Sequence, residues 1–213
     1  MKRFILSALL AIISFTAVLN GQTTATSDPL ATAVERLDQA QTPDDWKQTR
    51  ILFERLASVN PEALLPTYYL AFIDIQLSFI VTDQKEKYQY LEEAETYLEK
   101  LKKTKLSDKA IRSEISTLKG YWYFAQMALN PAVNGPKYAG VITAAYSEAL
   151  QQNPDNPRAI VLNAHFQQNM SNFTGGSYAS FESDMKQAKT LFETIPVDPL
   201  LPHWGKEWIK SIR

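Results

Sequence analysis

Apolar residues recur along this chain at intervals of three and four. Ile111, Ile115, Leu118, Trp122, Ala125 and Leu129 step by 4, 3, 4, 3 and 4, which keeps them on one face of a helix. Short alternating runs of the kind that mark strands are missing, so the pattern predicts an all-α chain. Four Asn-Pro pairs, Asn60-Pro61, Asn130-Pro131, Asn153-Pro154 and Asn156-Pro157, punctuate it. A residue before proline avoids the α region, so each pair predicts a helix end or turn.

The stretch "LKGYWYFAQMALNP", Leu118 to Pro131, sets Gly120 before a run of aromatic residues. At about 100° per residue these rings spread around the helix and cannot share a face. Phe124 and Met127 fall on the Gly120 side, whereas Trp122 falls opposite, with Ile111, Ile115, Leu118 and Leu129. The helix therefore has two apolar faces, as one wedged between a partner and a neighbouring pair needs. Trp122 is expected in the core. Tyr121 and Tyr123 are expected on open flanks, where a phenol buries its ring and keeps its hydroxyl wet.

The pattern also repeats. "FERLASVNP" carries Phe53, Leu56 and Pro61, and "YSEALQQNP" carries Tyr146, Ala149 and Pro154, at the same offsets of three and five. Leu98 with Leu101 and Phe192 with Ile195 share the first offset. Phe53, Leu98, Tyr146 and Phe192 lie 45, 48 and 46 residues apart, and the small residues Ala71, Gly120 and Ala164 lie 49 and 44 apart. From Trp46 to Pro199 these positions resemble tetratricopeptide repeats, in which a small residue on the first helix lets the paired helix approach closely; Gly120 is expected to admit the partner's backbone. Asp74 and Gln167 depart from the pattern, standing where the family has tyrosine. HEAT-like helix pairs are the alternative, because their period is similar.

The resemblance implies an α-α superhelix, a tetratricopeptide-like solenoid of about three and a half helix pairs. The period exceeds the family's usual length of about 34 residues. Longer helices, longer intra-unit connections or both would account for the excess; the connections would be "FIVTDQKEKY", "NPAVNGPKYAG" and "SNFTGGSYAS". Trp204, Trp208, Ile209 and Ile212 form the stripe of a C-terminal helix that would cap the last pair. The expected divisions are 1–21, a signal peptide; 22–42, an N-terminal segment and first helix; 43–202, the repeat domain; and 203–213, the capping helix.

The start of the chain changes the picture of where it works. Lys2 and Arg3 precede an apolar run from Phe4 to Leu19, and Gly21 follows. This is the layout of a secretory signal peptide cleaved near Gly21, and it predicts a secreted or periplasmic product with no membrane insertion after cleavage. No cysteine occurs, which excludes disulfides and cysteine-linked lipids. Without Lys2 and Arg3 the chain carries 20 basic and 23 acidic residues, a charge of −3 with no basic stripe, so no nucleic-acid partner is expected.

Candidate chemistry is sparse. His165 and His203 are the two histidines; His203 and Glu207 are four apart, but two ligands make no metal site, and neither a metal nor a cofactor is expected. No nucleophile motif or phosphate loop occurs, so the reading is non-enzymatic. "TGGS", Thr174 to Ser177, reads as a flexible turn, and Asp74 as a hydrogen-bonded structural carboxylate facing Thr67 and Ser78. The resemblance implies an interaction module of the cell envelope or exterior, binding a protein or peptide in a concave groove. Phe72, Tyr121 and His165 follow the small residues and would form its rungs, with Phe124, Gln168 and Arg158 beside them. Two alternatives stand. A small-molecule or glycan carrier would use aromatics and loops at one solenoid edge. Otherwise the C-terminal helix folds back and fills the groove with Trp204 or Trp208.

Overall fold

A computed structural model describes residues 28–211 of the chain. The signal-peptide expectation for residues 1–21, and Ile212 of the terminal stripe, lie outside the described residues. Eight α-helices follow one another: α1 (Pro29–Gln39), α2 (Pro43–Val59), α3 (Leu64–Ile80), α4 (Gln84–Lys103), α5 (Lys109–Leu129), α6 (Pro131–Gln152), α7 (Pro157–Phe173) and α8 (Phe181–Thr194). A strap without α-helix runs from Ile195 to Gly205 and closes in a 3-10 turn, Lys206–Ser211.

The helix ends are written in the sequence. Asp28, Thr42, Asp83, Asp108, Asn130 and Asn156 each accept a backbone N–H of the first turn that has no partner within the helix. Thr42 and Asp45 close a reciprocal capping box. Pro29, Pro43, Pro131 and Pro157 open their helices, where a missing N–H costs nothing. Asn60 and Asn153 cap the C-termini of α2 and α6, so all four Asn-Pro pairs lie at helix boundaries.

Consecutive helices pack as pairs, α1 with α2, α3 with α4, α5 with α6 and α7 with α8, and the first helices α3, α5 and α7 also touch in sequence. Among the described residues there are therefore four pairs, rather than three and a half. Two of the three long connections are not found. Asn130 alone joins α5 to α6, and "NPAVNGPKYAG" is mostly the first half of α6, with Pro136 inside the helix. The third is present as the non-helical stretch from Thr174 to Ser180 between α7 and α8. In the earlier pairs the excess period lies in helix length: α4, α5 and α6 run 20, 21 and 22 residues.

The small-residue positions do what close packing requires. Ala71, Ala94, Ala164 and Ala188 are fully buried. At Gly120 a Cβ would stand 2.5 Å from Cε1 of Tyr146, so the glycine admits an aromatic ring of α6 rather than the partner's backbone. Trp122 is buried, as its stripe requires, and its indole N–H donates to the Leu91 carbonyl at 2.7 Å. Helix α3 is buried nearly all round, from Pro66 to Ser78, and forms the centre of the core. No helix among the described residues is long and apolar enough to cross a membrane.

The C-terminal segment is not a helix confined to the last pair. It crosses the face made by the first helices: His203 meets Asp38 of α1, Trp204 meets Tyr68 and Phe72 of α3 and Tyr121 of α5, and Trp208 meets His165 of α7. This is the fold-back arrangement, with Trp204 and Trp208 in the groove.

Candidate ligand-binding site

The first-helix face is paved with rings. Phe72 stacks on Trp204 with centroids 4.5 Å apart and planes at 16°, and Trp204 continues to Tyr121 at 6.4 Å and 24°. Tyr121 stacks in turn on Phe79 at 5.5 Å and 20°, and Phe79 leans on Phe124 at 6.2 Å. Trp46, at the start of α2, meets the other edge of Phe72 at 5.9 Å. The ladder thus alternates between chain elements, with Trp204 of the strap as its middle rung. Phe79 and Phe124 stay part-exposed beyond the strap's reach.

Beneath the ladder lies a polar floor. Glu114 accepts from Arg158 Nε at 2.9 Å and Nη2 at 2.7 Å, and from the Tyr68 hydroxyl at 3.0 Å. The indole N–H of Trp204 donates to Tyr68 Oη at 3.2 Å, and the Arg158 guanidinium lies 5.7 Å from the Trp204 ring. A guanidinium over an aromatic face is attracted by the ring's quadrupole. Burial, and then the Glu114 charge, push the Tyr68 phenol well above its usual range, so it stays a neutral hydroxyl. Burial likewise raises Tyr121, whose hydroxyl donates to Gln76 Oε1 at 2.8 Å. For Arg158, burial favours the neutral form, but Glu114 outweighs it and the net shift is upward.

Two cavities flank the strap. One of about 420 Å³ lies between α1, α2, α3 and the strap, with Trp46, Phe72 and Trp204 as its aromatic walls and Asp38, Gln76 and Glu207 as polar groups. Sites for small molecules commonly occupy about 300–1,000 Å³, mostly apolar, with a few polar groups that fix orientation. A second cavity of about 310 Å³ lies at the strap's other side, between Ile111, Phe192 and Leu201, with Lys206 at its edge.

The sequence-chosen residues divide. Phe72 and Tyr121 belong to one row, but they are 2% and 6% exposed, where partly open side chains were expected. The strap covers them, so the flank expected to be open at Tyr121 is closed. Arg158 belongs to the same site through Trp204 and Glu114. Phe124 adjoins the row through Phe79. His165 stands apart, with Nε2 3.3 Å from the Trp208 carbonyl oxygen and its ring edge-on to Phe181. Gln168 faces the turn between α7 and α8, bonding Asn172 and the Tyr178 amide.

Tyr68, Gln76, Phe79 and Glu114 were not read from the sequence. Glu114 carries a signal: it precedes Leu118 by four, so it shares the side of a residue read as apolar core, and it is buried there. Asp74 is buried as expected, but Arg50, not Thr67 or Ser78, satisfies it, with Nε at 2.5 Å and Nη2 at 3.2 Å. Among the described residues, no three His, Cys, Asp or Glu side chains gather in a way that could hold a metal.

Paired helices with an aromatic-paved inner face over a polar floor make an all-α fold with one candidate binding face. A solved structure is similar to this chain along most of its length. The HusA haemophore from Porphyromonas gingivalis aligns with a TM-score of 0.75 and 26% sequence identity, covering 90% of this chain and 92% of that one. That likeness runs along nearly the whole of both chains and supports a non-enzymatic binding role. No protein-family model and no curated protein matches the chain, so the tetratricopeptide resemblance stands at the level of paired helices.

Proposed function

We propose that this chain is a non-enzymatic carrier for a flat, largely apolar small molecule of the haem class, held against the aromatic ladder of the first-helix face. The stacked centre of the ladder, Phe72, Trp204, Tyr121 and Phe79, carries this reading, because a planar ring system gains most by stacking on rings already aligned. The whole-chain likeness to a haemophore supports it. The small-molecule alternative therefore replaces a protein partner as the main reading. Export through the N-terminal signal, with release outside the cytoplasm, belongs to the same proposal, since a carrier collects its ligand where it is delivered.

The test is an absorbance titration of the chain from residue 22 onward with haemin and with iron-free protoporphyrin. Saturable one-site binding of both probes, with a shifted Soret band, is the expected result. A titration in which neither spectrum changes would remove the proposal. The strap lies across this face as an extended segment, which supports a peptide as the second reading. Failure of both probes together with capture of a peptide would restore the peptide-binding reading.

A further inference from the structure

The middle rung of the ladder is the chain's own indole, and the slot that holds it is complete without it. Tyr68 donates its hydroxyl proton to Glu114, Arg158 is held by both Glu114 oxygens, and Tyr121 donates to Gln76. None of these bonds involves Trp204. When the indole leaves, no donor on the slot's floor loses its acceptor. The loss is confined to stacking, burial, the Arg158 guanidinium's contact with the ring, and one N–H bond that water replaces. A flat ligand entering between Phe72 and Tyr121 restores the stacking and the burial.

The segment carrying the indole crosses the face outside the paired helices. It contains Pro196, Pro199 and Pro202 and has no α-helical hydrogen-bond ladder. Gly205, directly after Trp204, sits at φ 96°, a conformation that other residues rarely adopt. Its side-chain tethers along the face are few. His203 Nε2 lies 2.9 Å from Asp38 in an exposed pair, the Tyr69 hydroxyl donates to the Leu200 carbonyl at 3.0 Å, and His165 meets the Trp208 carbonyl.

We infer that Trp204 is an internal surrogate ligand: a flat aromatic ligand loads by taking the indole's place between Phe72 and Tyr121, and the strap swings out on Gly205. This rests on the carrier reading and adds where the ligand sits and what it must displace. An occupied slot lowers apparent affinity by the fraction of molecules whose slot is open, so emptying it raises affinity by the inverse of that fraction.

Two measurements test this, both with haemin as probe. Trp204→Ala should bind about tenfold more tightly or better than the unsubstituted chain, because the competitor is gone. In the unsubstituted chain, saturating haemin should strip hydrogen-exchange protection from the strap amides between Leu200 and Gly205. Equal or weaker binding by Trp204→Ala, or strap protection retained with haemin bound, overturns the exchange while the carrier reading stands. Absence of binding by both chains overturns the carrier reading and the exchange together. The exchange measurement needs no substitution, so a poorly folding variant does not leave the inference untested.

Discussion

Gly120 and Trp122 sit two residues apart on α5 and face opposite ways, and each fixes one side of that helix. The Tyr146 ring fills the space where a Cβ at residue 120 would stand. Gly120→Ala should therefore destabilise the fold by about 1–3 kcal/mol, as overpacking does, despite alanine's better helix propensity. Tyr146→Leu should recover part of that loss in the double variant, which denaturant melts would show as non-additivity. Trp122→Ala, which empties a buried site and removes the indole's bond to the Leu91 carbonyl, should cost about 3–5 kcal/mol. Both positions were legible as spacing, because helical periodicity assigns faces from residue types alone. Tyr121 was not: angle placed it on a flank, but only tertiary structure brings a residue 83 positions later to cover it.

Helices α2, α3 and α4 are tied by one charged cluster. Arg50 of α2 holds both oxygens of Asp74 on α3, and reaches Glu54 of its own helix and Glu93 of α4. Burial pushes the Asp74 carboxyl up to about 7 against the pull of Arg50. A group raised above its unfolded value favours the folded state most at pH below that unfolded value, near 4. That contribution is lost as pH rises towards 7. Arg50→Met removes the guanidinium on which both Asp74 oxygens rest. It should cost about 3–5 kcal/mol near pH 8, as breaking a buried pair does. The cost should shrink towards pH 5, where Asp74 takes up a proton. A stability difference independent of pH between the two chains would show that Asp74 remains charged throughout. In the sequence Asp74 was visible as a polar interruption, but its partner, 24 residues earlier, was not. Local pattern places a residue on a face without saying which helix that face meets. The strap shows the same limit. Its tryptophans read as a helical stripe, yet Pro196, Pro199 and Pro202 break the preceding segment and carry it across the first helices.

Taken together, the four helix pairs make a frame whose inner face has more aromatic surface than the frame needs, and the chain covers part of it with its own C-terminus. A chain ending at Ile195 should keep its helical content, because the paired cores lie beneath the strap. It should also expose Phe72 and Tyr121, and bind a hydrophobic dye more strongly than the full chain. Unchanged dye binding would mean that the helices close over the gap. All-α class, pairing and the small-residue contacts followed from periodicity, which is a local property. The polar floor of Tyr68, Glu114 and Arg158 did not, since it joins three helices across 90 residues.

The four tryptophans supply their own control for the central claim, that a flat ligand binds on the first-helix face. Trp46, Trp204 and Trp208 belong to the aromatic network of that face, and Trp122 lies on the opposite side of α5 against Leu91. Iron-free protoporphyrin is diamagnetic and carries a strong ring current, so it shifts nearby proton resonances. Following the four indole N–H signals by NMR while adding it therefore locates the ligand directly. The account predicts that Trp46 and Trp208, which border the slot, shift most, that Trp204 shifts as it leaves its stack on Phe72 and Tyr121, and that Trp122 stays in place. A saturated sample in which Trp122 moves most, or no indole moves, would contradict it.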